Sequence, residues 1–297
     1  WWPATAQRAD IVFPATTPYE REDIGRSPLD DYLFHMPQLI PPVGQARDDY
    51  AIFSGLAARL DAGDAFTQGR DPAQWIDHLY AGFQANAVAA GIDVPSLDAL
   101  RDQNWVKLDI AAEHQPKPVL RRFRADPLGA PLKTPSGKIE IFSATIDGFG
   151  YEDCPGHPVW LPPGEWLGAA TGAAPLHLVS PQPGDKLHSQ LEAALADVAG
   201  ARPETVLIHD VDARARGIAS GDLVRVFNTR GAVRARARVT RDILQGVVAL
   251  PTGVWVGPPG GNIDPHGNPN VLTRDVGTSR LGQGTSAHSA LVEVSKD

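Results

Sequence analysis

The chain has 297 residues, 42% hydrophobic and 21% charged, which suits a soluble globular protein with one large core or two modest ones. Its net charge of -8 argues against a general affinity for nucleic acid or an anionic membrane surface, although a local basic pocket stays open. Cys154 is the single cysteine, which excludes an intramolecular disulfide and any cysteine-rich zinc or iron–sulfur motif within this chain.

Trp1-Trp2-Pro3 shows no initiator methionine, basic leader or signal core, and is expected to be an internal start. The apolar run Ala9 to Ala15, stopped by Pro14, predicts a buried parallel strand. The loop beyond such a strand, Thr16 to Asp23, is the usual binding place in an open α/β sheet, and by pattern alone equally a polar turn. Tyr50, Phe53, Leu56, Ala57 and Leu60 repeat at helical spacing after Asp48 and Asp49, which favour a helix start. A second amphipathic helix is predicted over Pro72 to Ala90, with Trp75, Leu79 and Phe83 as its core contacts.

Proline and glycine are frequent from Asp126 to Ala174, interrupted by Gly137 to Ser143, which alternates as a strand should. That stretch reads as a connector packing on both halves. After Pro175 short β-rich runs follow: Leu176 to Ser180, Thr205 to Ile208, Leu223 to Asn228, Val233 to Thr240 and Gly246 to Pro251, with a short helix over Asp210 to Arg216. Turn signals at Ser220-Gly221-Asp222 and Thr229-Arg230-Gly231 favour a compact barrel over a doubly wound sheet.

Two clusters could carry chemistry. Ser180-Pro181-Gln182-Pro183 with Leu187-His188-Ser189-Gln190-Leu191 offers the mixed donors and acceptors that a heterocyclic ligand needs, or else forms a capping loop with a satisfied histidine. His266 to Thr273, continuing to His288, combines glycines that admit close approach with amides that pair with a ring edge; alone, such a run more often means turns. His177, His188, His266 and His288 match no compact zinc spacing, so a histidine-based metallohydrolase ranks below ordinary surface or core histidine. Neither a Walker-type phosphate loop nor a nucleophile elbow is present.

Taken in order, Ala9 to Asp23, Thr134 to Ser143, Phe149 to Trp160, Leu187 to Leu191, Asp212 to Asn228 and His266 to His288 resemble the C-terminal third or so of the dimethyl sulfoxide reductase family. The resemblance is to its dimethyl sulfoxide, trimethylamine N-oxide and biotin sulfoxide reductase branch. It implies a truncated parallel α/β domain over residues 1–125, the connector over 126–174, and a six-stranded double-psi β-barrel over 175–297. It further implies a molybdenum cofactor carried by two molybdopterin guanine dinucleotides, and two-electron reduction of an S-oxide or N-oxide.

By position in these motifs, Ser180, Gln182, His188, Ser189, Gln190, His266, Asn268, Asn270 and Gln283 are expected to contact pterin or dinucleotide, with Asp10, Thr16 and Glu20 at the other domain's edge of the site. The regions that in the family supply the metal ligand and most of the substrate funnel are expected to lie in N-terminal domains outside this chain. No residue here therefore takes a catalytic role, and the electron donor stays unassigned. A sheet lacking its neighbouring strands should leave the first half weakly stable, while the barrel folds alone. A lean toward the biotin sulfoxide type implies the cytoplasm, the periplasm being the other compartment the family uses. The rival to all of this is a ligand-binding barrel or partner subunit without redox activity.

Overall fold

The computed structural model describes residues 3–27, 30–110, 120–192, 203–257 and 260–297; Trp1 and Trp2, on which the expected internal start rests, lie outside them. Two compact units result, Asp10–Lys133 and a unit built from Trp1–Ala9 with Thr134–Asp297.

In the Asp10–Lys133 unit, β1 (Asp23–Arg26), β2 (Tyr32–Met36) and β3 (Trp105–Lys107) form an antiparallel sheet in that order, with Gly25 opposite Phe34 and Leu33 opposite Val106. Leu33 joins Tyr80, Ala87, Val94, Leu100 and Leu108 in the core. The second predicted helix forms over Pro72–Ala89. Its start follows from sequence: Asp71 accepts from the Gln74 amide, Gln74 answers to the Asp71 amide, and Pro72 supplies a preset φ at the first helical position.

The buried face of that helix is displaced by one residue from the expected one: Ile76, Tyr80 and Ala87 are buried, whereas Leu79 is 57% exposed. Trp75 is held at the rim, donating its indole N–H to Tyr50 Oη at 3.0 Å beneath the Arg70 guanidinium, and only Phe83 of the expected contacts packs against the core. Periodicity set the pitch of the stripe, but the sheet decided which edge of it turned inward. The first helix, Asp49–Arg59, also forms where predicted, yet Ile52 is its buried residue, while Phe53, Leu56 and Leu60 are exposed.

The predicted parallel strand Ala9 to Ala15 is corrected. Its parallel pairing is one bridge, Ala15 to Arg47, and Ile11 is 73% exposed. A buried parallel strand needs a ladder on both sides, and no described strand lies beside it. Gly137 to Ser143 likewise forms no strand. Local side chains capture its backbone instead: Thr134 Oγ1 donates to the Lys138 carbonyl at 2.7 Å and the Ser136 amide donates to Glu140 Oε1 at 2.9 Å, leaving Ile141 80% exposed.

The second unit centres on a closed barrel of β4 (Leu176–Val179), β5 (Thr205–His209), β6 (Leu223–Phe227), β7 (Ala232–Thr240), β8 (Val247–Ala249) and β9 (Ala290–Lys296). Around the barrel the order is β4-β8-β5-β7-β6-β9, with β4–β8 and β5–β7 parallel and the remaining pairs antiparallel. Strand alternation explains the interior: β7 turns Val233, Ala235 and Ala237 inward and Arg234, Arg236 and Arg238 outward. The small alanines admit the larger Leu176, Leu178, Ile208 and Leu250 into one core. Five strands and the helix Asp210–Ala215 fall where predicted. The sixth, β9, was not foreseen, since Ala290, Leu291 and Val292 are all buried and break the alternation that marks a half-buried strand.

The segment before the barrel is tied to it by Glu165. This carboxylate takes both terminal nitrogens of Arg230, at 2.6 and 2.8 Å, and the Leu291 amide at 2.8 Å. Partial burial works against its charge, and these partners outweigh that, holding its pKa below the usual glutamate range.

Candidate functional site

Strand directions gather the barrel's candidate residues at one end. Since β4 and β8 are parallel, Ser180 and Leu250 both leave the barrel there; β5, β7 and β9 run antiparallel to β8, β6 and β4 respectively, so their N-terminal ends lie at the same end. The described residues of 180–192 and 250–289 hold all nine expected barrel residues, although Ser180 and His288, which meet there, lie 108 positions apart.

Backbone contacts weld these loops together. The Ser180 amide donates to His288 Nδ1 at 3.2 Å, which assigns that nitrogen as an acceptor, and the Thr252 amide donates to the Pro181 carbonyl at 3.0 Å. Gly253, at φ +107, approaches so closely that a Cβ there would stand 2.1 Å from the His188 carbonyl oxygen, so only glycine fits. The Trp255 indole donates to the Ser189 carbonyl at 3.0 Å; in turn the Trp255 carbonyl lies 2.9 Å from His266 Nδ1. Asn268 Nδ2 donates to the Val254 carbonyl at 2.7 Å, and Asn268 Oδ1 accepts from the Asn270 amide at 2.9 Å.

Several polar side chains at this end retain unused hydrogen-bonding capacity. Ser180 is 7% exposed, and its Oγ has no partner among the described residues. His188, Ser189 and Gln190 are exposed, and their contacts with described residues run through backbone atoms. Gln182 and Gln283 are each half used: Gln182 Nε2 donates to the Lys186 carbonyl, and Gln283 Nε2 donates to the carbonyls of Ser279 and Arg280. Amides, imidazoles and hydroxyls left in this state form a donor and acceptor set suited to a polar heterocycle.

Two residues that hold the site were missed from sequence. Lys186, with a side chain only 6% exposed, lies 3.0 Å from Glu192 and 2.9 Å from Glu204 and anchors the start of the 187–190 turn. Burial opposes its charge, but the two carboxylates outweigh this and hold its pKa above the usual lysine range. Asp264 is buried beneath the second loop and accepts four backbone amides. The dipeptide Asp264-Pro265, a turn initiator, was the available signal. For Lys186 there was none, because its partner Glu204 is brought by the fold.

The remaining candidates belong to the Asp10–Lys133 unit. Asp10 is exposed; Thr16 Oγ1 donates to Asp48 Oδ1 at 2.7 Å. Glu20 is buried, with its carboxylate accepting the amides of Thr17 at 2.7 Å and Val43 at 2.6 Å, which lower its pKa. Its carboxylate thus closes a capping box at Pro18–Glu20 and pins the 43 loop. Among the described residues no three His, Cys, Asp or Glu side chains group as metal ligands. His177 Nε2 lies 2.7 Å from the His288 carbonyl.

The second unit is thus a closed six-stranded mixed β-barrel with its polar candidate loops gathered at one end. Residues 176–291 match the Molydopterin dinucleotide binding domain, and residues 2–59 match the Molybdopterin oxidoreductase family. Over these two stretches the chain is similar to the molybdopterin oxidoreductases. It is 44% identical to biotin sulfoxide reductase of Cereibacter sphaeroides, aligning over 98% of this chain and 39% of the relative. It is 43% identical to the dimethyl sulfoxide/trimethylamine N-oxide reductase of the same organism and 42% identical to trimethylamine-N-oxide reductase of Haemophilus influenzae, over 99% of this chain and 37% of each relative. The chain thus spans less than two fifths of these relatives' length. Among solved structures, acetylene hydratase from Pelobacter acetylenicus shares the fold, with a TM-score of 0.70 at 20% identity over 100% of this chain and 39% of that one.

Proposed function

We propose that this chain is the cofactor-holding C-terminal portion of a molybdenum oxidoreductase that reduces an S-oxide or N-oxide by two-electron oxygen-atom transfer. The observation that carries the reading is Ser180: a buried hydroxyl with no hydrogen-bond partner among the described residues, at the end of β4 where the polar loops emerge from a barrel that matches the dinucleotide-binding domain. Burying such a group unpaired costs about 1–3 kcal/mol, which a ligand atom hydrogen-bonded to it would offset.

Mo-bis(molybdopterin guanine dinucleotide) is the group these residues fit. When bound, it supplies the redox chemistry, and the protein supplies binding and orientation. Ser180, His188, Ser189, Gln190 and His266 would meet ring and phosphate heteroatoms, with Gln182, Asn268, Asn270 and Gln283 completing the polar rim. Within the Asp10–Lys133 unit the Glu20 carboxylate is already engaged by backbone amides and fixes its own loop.

The test uses the whole natural polypeptide, purified and analysed for molybdenum and pterin, then supplied with a reduced viologen dye. Dye oxidation that depends on dimethyl sulfoxide, trimethylamine N-oxide, biotin sulfoxide or methionine sulfoxide is the expected result, and comparison among these identifies the substrate. Bound pterin without oxide-dependent turnover would instead favour a non-catalytic binding barrel. We place the protein in the cytoplasm, as the biotin sulfoxide type implies; recovery in a periplasmic fraction would overturn that assignment.

A further inference from the structure

The second ligand loop is folded around one carboxylate. The backbone of Asp264 is part of the barrel wall: its amide donates to the Ala232 carbonyl and its carbonyl accepts from the Arg234 amide, both at 2.8 Å. Its side chain, in a residue 8% exposed, turns toward the loop. Oδ2 accepts from the Gly257 amide at 2.6 Å, and Oδ1 accepts from His266, Gly267 and Asn268 at 3.0, 2.9 and 3.1 Å.

An ionised carboxylate has about four acceptor sites and no donor, and its charge roughly doubles the strength of each bond. No salt bridge to Asp264 forms among the described residues, so these amides answer its charge. The approach on the other side is equally close: a Cβ on Gly257 would stand 2.5 Å from Pro265 Cδ.

We propose that Asp264 is the positioning residue of the dinucleotide site: its charge ties Gly257 to His266–Asn268 and sets the orientation in which His266 and Asn268 meet the bound cofactor. The proposal rests on the functional reading above. A volume-filling role alone would be met equally well by asparagine, whereas a charge-dependent clamp would not, since asparagine presents its own N–H₂ to at least one of the four amides.

The experiment compares the whole natural polypeptide, purified with its cofactor, with Asp264→Asn, Gly257→Ala and the control Asp222→Asn. Asp222 binds Ala219 and Lys296 in the turn before β6, at the opposite end of the barrel. Release of molybdenum and of fluorescent oxidised pterin is followed at a fixed temperature well below each melting transition. Asp264→Asn and Gly257→Ala are expected to release both roughly ten- to a hundredfold faster, since the loop amides lose the charge-assisted bonds that hold His266 and Asn268 in place, with the control unchanged. Wild-type release from Asp264→Asn, even with a lowered Tm, would reduce the residue to a structural part and overturn the proposal. Should Asp264→Asn fail to accumulate folded, Gly257→Ala decides alone, and unchanged release there overturns it. Faster release from the control as well would mean general loosening and also overturn it. A wild-type protein carrying neither molybdenum nor pterin would overturn the functional reading itself, an outcome distinct from unchanged release in a loaded enzyme.

Discussion

The Ser180 hydroxyl is buried with no partner among the described residues, so its removal should act differently with and without ligand. Ser180→Ala is expected to leave the cofactor-free protein as stable as wild type or slightly more stable, and to weaken cofactor retention about tenfold; melting curves and pterin content check the two halves separately. Lys186→Met leaves Glu192 and Glu204 facing each other without their cation. Its expected cost is about 2 kcal/mol, less than for a fully buried pair because the glutamates are partly exposed, and is read as a Tm lower by roughly 4–8 °C. Glu20 gives a pH prediction. Its folded pKa is depressed by the Thr17 and Val43 amides, so its contribution is complete at neutral pH, declines as pH falls below the unfolded glutamate range, and is gone below the folded value. The protection of those two amides relative to their intrinsic exchange rates should therefore fall in acid, and Glu20→Gln should abolish that dependence. At this scale the exposed site residues were legible as residue types and Asp264 carried a turn signal in Asp264-Pro265, while Lys186 was not legible, because its partner Glu204 is brought by the fold.

At the scale of elements, helix starts and strand alternation were legible because they are local. Asp71→Ala removes the cap of the Pro72–Ala89 helix and is expected to cost about 1 kcal/mol by thermal denaturation. Leu79→Gln should change stability by less than about 0.5 kcal/mol, whereas Leu100→Ala, in the fully buried core, should cost about 2–5 kcal/mol; equal effects would restore the originally expected packing face. Gly137 to Ser143 shows the limit of local reading. Alternation establishes that a segment could serve as a strand, but a strand also needs a partner, and here Thr134 and Glu140 took the backbone groups that a partner would have used.

For the whole molecule, the clasp between Glu165, Arg230 and the Leu291 amide joins the segment before β4 to the barrel, so limited proteolysis should leave a resistant fragment beginning near Thr134 rather than near residue 175. Glu165→Gln should move the first cleavages into the 134–174 stretch, and an unchanged digest would show that other contacts hold it. The sequence by itself determined five of the six runs that became barrel strands, where two helices begin, and the order of motifs that carries the family resemblance, since each follows from propensity, periodicity or local residue pattern. Only the tertiary structure decided which helix face is buried, that Ala9 to Ala15 lacks a ladder, and that loops whose contacting residues lie 66 to 108 positions apart meet at one end of the barrel. Those outcomes depend on long-range pairing, in which the parallel β4–β8 and β5–β7 crossings set the end at which each loop emerges.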